Sequence, residues 1–136
     1  MSRVLILDSA AVEGLCRREV PVRIRAALEA ASRLGRDVVI PSAVLAECYR
    51  DRTHGQAVDS MLTRRHAIRL RDTDRALARL VGGLLAAAGV GSEAMVDAHV
   101  VAVAVERGGG VCLTSDVADL ERLAAGAPAV AVLAIG

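Results

Sequence analysis

Short, continuous apolar runs recur along the chain and are separated by segments with helical spacing. Val4–Leu7, Val38–Ile40, Val111–Leu113 and Val130–Ile135 are apolar at every position rather than at alternate positions. This pattern is typical of strands that are buried on both faces, as in a parallel sheet covered by helices. A weaker run, Ala67–Leu70, predicts an edge strand. The alternation of strands and helices predicts an α/β fold with a mostly parallel sheet.

The connections between these segments are short, and no linker or internal repeat indicates a second domain. A chain of 136 residues is long enough for one apolar core and too short for two. The predicted helices cover Ala10–Arg17, Val22–Leu34, Ser42–Arg50, Gln56–Arg64, Arg75–Ala88, Ala94–Arg107 and Val117–Ala124.

The composition excludes several classes of protein. With 54% hydrophobic and 24% charged residues, the chain is expected to be globular and soluble rather than disordered. No apolar stretch is long enough for a membrane span, and Met1–Asp8 lacks the apolar length of a signal peptide, so we expect a cytoplasmic protein. Every basic residue is arginine, which excludes P-loop and Schiff-base chemistry because both require lysine. The three cysteines are odd in number and widely spaced, which argues against a disulfide framework or a zinc ribbon.

Two aspartates follow predicted buried strands. Asp8 comes directly after Val4–Leu7, and Asp116 comes shortly after Val111–Leu113. Open α/β sheets bind their ligands at this carboxyl edge. Each aspartate also precedes a helix, so helix capping is an alternative role for both, and Asp119 fits ordinary first-turn electrostatics.

Asp97 and Glu47 are harder to assign to the surface. Asp97 lies in line with the apolar positions of its helix, where an unpaired carboxylate is costly. Glu47 lies beside an apolar stripe, although a surface salt bridge with Arg50 is an alternative. Acids near one sheet edge, with few basic residues to neutralise them, favour a bound cation. Donors that are all oxygen select a hard ion such as Mg²⁺ or Mn²⁺.

At these positions the sequence resembles the PIN-domain family, in particular the VapC-type toxins of toxin–antitoxin pairs. The acids occur in the family's order, and the resemblance extends over almost the whole chain. The matching segments are Leu5-Ile6-Leu7-Asp8-Ser9-Ala10, Pro41 to Glu47, Val96-Asp97-Ala98 continuing to Ala104, and Leu113-Thr114-Ser115-Asp116 with Asp119.

The resemblance implies a single PIN domain over residues 1–136, with three layers and a five-stranded sheet in the order 3-2-1-4-5. It implies an acidic site with the metal ligands Asp8, Glu47, Asp97 and Asp116. Asp119 is implied as an accessory catalytic acid, and Ser9 and Thr114 as supporting hydroxyls.

The function implied is that of a Mg²⁺- or Mn²⁺-dependent endoribonuclease acting as a toxin. The implied partners are an RNA substrate, a small VapB-type antitoxin and a second copy in a homodimer. The amino-terminal apolar residues Val12, Leu15, Ile24 and Leu28 fit packing on the sheet or the seating of a partner helix. A non-catalytic PIN-like module that binds RNA or protein is the principal alternative. An aspartyl-phosphate phosphatase is disfavoured because Ala10 replaces its usual second aspartate.

Overall fold

Five parallel strands form one sheet in a computed structural model that describes residues 3–136. Met1 and Ser2, with which the predicted domain begins, lie outside the described residues. The order β3-β2-β1-β4-β5 confirms the expected topology, with every neighbouring pair parallel. The strands are β1 (Val4–Leu7), β2 (Val38–Pro41), β3 (Arg69–Arg71), β4 (Gly110–Thr114) and β5 (Val130–Ala134).

Seven α-helices flank the sheet within residues 3–136, and each predicted helix is present. One predicted start is wrong by a full turn, because α4 begins at Arg52 rather than Gln56, whereas the other starts agree to within one residue. The Asp51 carboxylate accepts a hydrogen bond from the His54 backbone N–H at 2.8 Å, so a polar cap starts the helix one turn before its apolar positions. The helices are α1 (Ser9–Leu15), α2 (Val22–Arg33), α3 (Ser42–Cys48), α4 (Arg52–Arg64), α5 (Arg75–Ala88), α6 (Met95–Glu106) and α7 (Val117–Leu123).

The core lies between the central strands and the helices that cover them. All four residues of β1 are buried, as its continuous apolar run predicts. Residues Ala98–Ala104 of α6 are buried too, so this helix is covered on all sides. None of the helices in residues 3–136 combines the length and the hydropathy that a membrane span requires.

His99 is a core residue of α6, not a surface one. The Met95 carbonyl lies 2.8 Å from its Nδ1 and can only accept, so Nδ1 donates to it. Its Nε2 forms a hydrogen bond with the Thr73 hydroxyl at 2.9 Å. Both ring nitrogens are satisfied by structural contacts, so His99 is a packing residue.

Gly110 allows β1 and β4 to approach closely, and its replacement gives a stability prediction. A Cβ at this position would lie 2.7 Å from both the carbonyl oxygen and Cγ1 of Val4, and backbone cannot move aside cheaply. We expect Gly110→Ala to lower the free energy of unfolding by about 2–3 kcal/mol. Gly82→Ala in α5 is the control, because its Cβ would meet nothing within 4 Å and alanine favours the helix by about 1 kcal/mol. Chemical denaturation of both variants tests this; equal stabilities would contradict it.

Candidate active site

The first two acids of the site lie at the ends of adjacent central strands. Leu7 of β1 pairs with Leu113 of β4, and the next residues of the chain lead to Asp8 and Asp116. The Asp8 backbone N–H donates to the Leu113 carbonyl at 3.2 Å, which continues the ladder past the strand ends. Strands 1 and 4 are neighbours at the point where the strand order reverses, so the sheet topology brings these acids together.

Asp8 is buried, with only 4% of its surface exposed, and its carboxyl is held in place by several donors. It caps α1 by accepting a hydrogen bond from the Ala11 N–H at 2.9 Å, as the capping interpretation predicts. Burial raises the pKa of Asp8, while hydrogen bonds from the Thr114 hydroxyl, Ala11 and Ser115 lower it and the charge of Asp116 raises it further. Asp8 therefore serves as a helix cap and a member of the acidic site at once.

Asp116 stands at the N-cap position of α7, but its side chain makes no capping hydrogen bond. The capping alternative is therefore wrong for Asp116. Its backbone N–H instead donates to the Thr114 hydroxyl oxygen at 2.8 Å. Thr114 is completely buried; its hydroxyl accepts from the Asp116 backbone N–H and lies close enough to the Asp8 carboxyl to lower its pKa, so it links the two strand ends.

Three carboxylates form a compact group at the surface of this edge. One oxygen from each of Asp97, Asp116 and Asp119 lies within 4.8 Å of the other two. Asp97 is half-buried in the first turn of α6, whereas Asp116 and Asp119 are exposed at the start of α7. Asp119 thus belongs to the group itself, although its sequence position is equally typical of an ordinary helix-start acid.

The pKa of Asp97 depends on the positions of the other four acids. Burial raises it first, and the charges of Asp116, Asp119, Asp8 and Glu47 raise it further, to about 6 from an ordinary value of 3.8. Among residues 3–136, no arginine or histidine nitrogen lies within 4.0 Å of any of the five carboxylates. Asp97 therefore experiences the charges of four other acids, none of which forms an ion pair in residues 3–136.

Glu47 lies at the margin of this group. It is exposed near the end of α3, and neither it nor Asp8 belongs to the compact set of three. The alternative role for Glu47, a salt bridge between its carboxylate and Arg50, is not observed; the Arg50 Nε donates to the Glu47 backbone carbonyl at 2.9 Å instead. The Glu47 carboxylate is thus left without an ion-pair partner in residues 3–136, and its charge acts on Asp97.

The two predicted supporting hydroxyls differ in their contacts. Thr114 bonds to the site as described, but the Ser9 hydroxyl makes no hydrogen bond to the acids in the described part of the chain. The contact of Ser9 is through its backbone, because its carbonyl accepts from the Cys48 Sγ at 3.9 Å.

Arg122 is a site-lining residue that the sequence interpretation missed. Together with Asp97 and Asp119 it lines a cavity of about 180 Å³ between α6 and α7. Its position three residues after Asp119 places it near that acid on α7, and this spacing could have revealed it. Glu93 lines the same cavity, which therefore contains three carboxylates and one guanidinium.

The donor chemistry of the site fits a hard divalent cation. The available ligands are carboxylate oxygens from several elements, with no thiolate or imidazole in the group. The raised pKa of Asp97 reflects repulsion that a bound cation would relieve.

Comparison with known proteins finds similarity in structure and none in sequence families. No protein-family model and no curated protein matches the chain. A VapBC2 structure from Rickettsia felis, bound to a DNA fragment from its promoter, matches with a TM-score of 0.67 and 17% identity, covering 96% of this chain and 98% of that one. A DNA-bound VapBC from Salmonella typhimurium matches with a TM-score of 0.66 and 19% identity over 100% of both chains. FitAcB from Neisseria gonorrhoeae matches with a TM-score of 0.66 and 17% identity, over 96% of each chain.

These matches cover essentially the full length of both chains, and the sheet order agrees with the topology expected from the sequence. The chain therefore has the PIN-like fold of the VapBC and FitAB structures.

Proposed function

We propose that this protein is a Mg²⁺- or Mn²⁺-dependent endoribonuclease that acts as the toxin of a toxin–antitoxin pair. The single observation that carries the proposal is the position of Asp97, whose pKa is raised by burial and by four other carboxylates, none of which has an ion-pair partner within 4.0 Å in residues 3–136. Such an arrangement lowers the free energy of unfolding unless a cation, alone or bound to a phosphate, neutralises the carboxylates. The fold shared with VapBC and FitAB structures supports the toxin role.

The residues divide the catalytic work by their positions. Asp97, Asp116 and Asp119 would be the direct metal ligands, and Glu47 would contribute from the margin. Asp8 would have a supporting role, because its buried carboxyl is held by Thr114 and Ala11 beneath the exposed acids. A bound divalent ion supplies a water of lowered pKa and neutralises charge on the scissile phosphate. Arg122 is placed to donate to a phosphate oxygen in the cavity it shares with Asp97.

A small VapB-type antitoxin would restrain this activity. The FitAB and VapBC neighbours were solved as named complexes, two of them on DNA. A basic side chain of the partner would compete with the metal for the unneutralised carboxylates. The partner helix cannot rest on Val12, Leu15 or Ile24, because these are at most 1% exposed and belong to the core. We retain the homodimer as part of this proposal.

Cleavage of RNA by the purified protein tests the catalytic part. We expect structured RNA to be cut in Mn²⁺ or Mg²⁺ and left intact in EDTA, with 5′-phosphate ends on the products. Binding of RNA without cutting under both conditions would instead support the non-catalytic PIN-like module.

Growth of the expressing cells tests the toxin part. Expression alone is expected to arrest growth, and co-expression with a small neighbouring open reading frame is expected to restore it and yield a co-purifying complex. A harmless wild-type protein that purifies as a monomer would reject the toxin role while leaving the nuclease question to the cleavage assay.

A further inference from the structure

A groove lined by arginines lies at the edge of the sheet opposite the acids. Two clefts of about 640 Å³ and 750 Å³ share Arg65, one beside the starts of β2 and β3 and the other beside the loop between α1 and α2. Since all strands are parallel, the starts of β2 and β3 lie at the other edge from Asp8 and Asp116. We call the basic groove the surface formed by Arg17, Arg18, Arg25, Arg36, Arg65 and Arg69.

The arginines of the basic groove do not hold the fold together. Apart from Arg69, which lies 3.5 Å from Asp37, none has a carboxylate oxygen within 4.0 Å or a side-chain hydrogen bond in residues 3–136. Arg71 shows the contrast, because it pairs with Glu106 at 2.8 Å and with Asp74 at 3.1 Å. The other five groove guanidiniums are therefore free to contact a ligand.

Few acids oppose these charges. Glu19 and Asp37 are the acids that line the two clefts. Asp37 is already engaged by Arg107 at 3.0 Å as well as by Arg69, and these contacts hold its pKa below the ordinary range. The groove thus presents a surplus of fixed positive charge over a length of two adjoining clefts.

We propose that the basic groove binds the phosphodiester backbone of RNA, away from the acidic site where cleavage would occur. This inference rests on the proposed nuclease function. Guanidinium forks match phosphate oxygens, and Ser32 and His66 add further hydrogen-bonding groups in the same clefts. Tyr49, the one aromatic residue of the chain, does not line the groove, so binding there is electrostatic and independent of base sequence.

The charge of the acidic site gives the physical reason for such an anchor. The five carboxylates of the site repel phosphates, so the site by itself offers RNA little affinity before a cation is bound. The four residues of β1 span about 13 Å between the two sheet edges. A trinucleotide at the acids cannot also fill the groove, whereas a structured RNA can occupy both.

Binding in EDTA to an RNA hairpin tests the anchor directly. The triple variant Arg18→Ala, Arg25→Ala and Arg65→Ala is expected to weaken binding at least tenfold and to reduce the salt slope of log K by about 2–3. The corresponding triple lysine variant should retain most of that slope because it keeps the charge. The matched control replaces Arg23, Arg75 and Arg79 with alanine; these exposed arginines lie outside both clefts, and the net charge change is the same.

Equal losses in the groove and control variants would overturn the proposal, because binding would then follow net charge alone. Loss of poly-glutamate binding with RNA binding unchanged would assign the groove to an acidic protein and overturn it too. Binding of double-stranded DNA is measured in parallel to separate the two sources of phosphate. If the groove variant lost affinity for DNA but not for RNA, the RNA anchor would be contradicted.

Cleavage kinetics distinguish failure of the anchor from failure of the nuclease. In Mn²⁺, the groove variant is expected to raise KM for a structured RNA at least tenfold and to leave trinucleotide cleavage unchanged. An unchanged KM for both substrates would reject the anchor and leave the proposed nuclease activity standing. Groove-dependent binding in a protein that cuts no RNA would keep the anchor and reject the proposed nuclease.

Discussion

Replacing Asp97 with asparagine is expected to lower metal-dependent RNA cleavage at least 100-fold while leaving the protein folded. Asp97 shares the compact group with Asp116 and Asp119, and asparagine keeps its shape but removes the charge that a divalent ion requires. Glu121→Gln is a matched control, because this exposed acid on α7 lies outside the compact group. Cleavage rates in Mn²⁺, with circular dichroism to confirm folding, provide the measurement.

The same experiment separates the roles of the other acids. Asp116→Asn and Asp119→Asn are expected to cause losses comparable to that of Asp97→Asn, and Glu47→Gln a smaller one, because Glu47 lies outside the compact group. Full metal-dependent cleavage by the Asp97 variant would remove this edge from consideration as the active site. A loss confined to the Glu47 variant would shift the site toward α3.

Metal and pH are expected to change the stability of the wild type through the same carboxylates. At about 100 times its Kd, Mn²⁺ should raise the free energy of unfolding by about 2.7 kcal/mol, which corresponds to roughly 5–10 °C in Tm for a chain of this size. The shift should be much smaller in Asp97→Asn. It should also be smaller at pH 5 than at pH 7.5, because the pKa of Asp97 is about 6 and a protonated carboxyl must lose its proton to bind metal.

In EDTA, the pH dependence has a definite sign. The pKa of Asp97 is higher in the folded protein than its ordinary value of 3.8, so the folded state holds this proton more tightly. Its stabilising contribution is complete below about pH 4 and is lost as the pH rises through about 6. Asp97→Asn should therefore be more stable than wild type at pH 7.5 by about 1–2 kcal/mol, allowing for solvent screening, and lose that advantage near pH 4.

Thermal melts of wild type and variant across pH, with and without Mn²⁺, measure both effects. An equal metal shift in the two proteins would place the ion elsewhere. A stability difference that does not change with pH would show that Asp97 is not strained by its acidic neighbours.

The sequence could predict every element whose signal is local. Continuous apolar runs such as Val4–Leu7 identified the buried strands, and Asp8 could be placed at a carboxyl edge because it directly follows one of them. The β3 run was harder, because its exposed residues give little apolar signal; the strand is Arg69–Arg71 rather than Ala67–Leu70. Helix capping was a wrong alternative for Asp116, because an aspartate before a helix has the same sequence pattern whether or not its side chain caps the helix.

What the sequence determined by itself was the set of acids and the side of the sheet on which they would lie, because strand ends and helix starts are fixed by neighbouring residues. Distances between Asp97, Asp116 and Asp119, the marginal position of Glu47 and the placement of Arg122 in the cavity were decided only by the tertiary structure. The basic groove is likewise tertiary, since Arg18, Arg36 and Arg65 come from separate segments. Charges act through space, and the packing of helices on the sheet sets which of them are close enough to repel, to bind metal or to receive a phosphate.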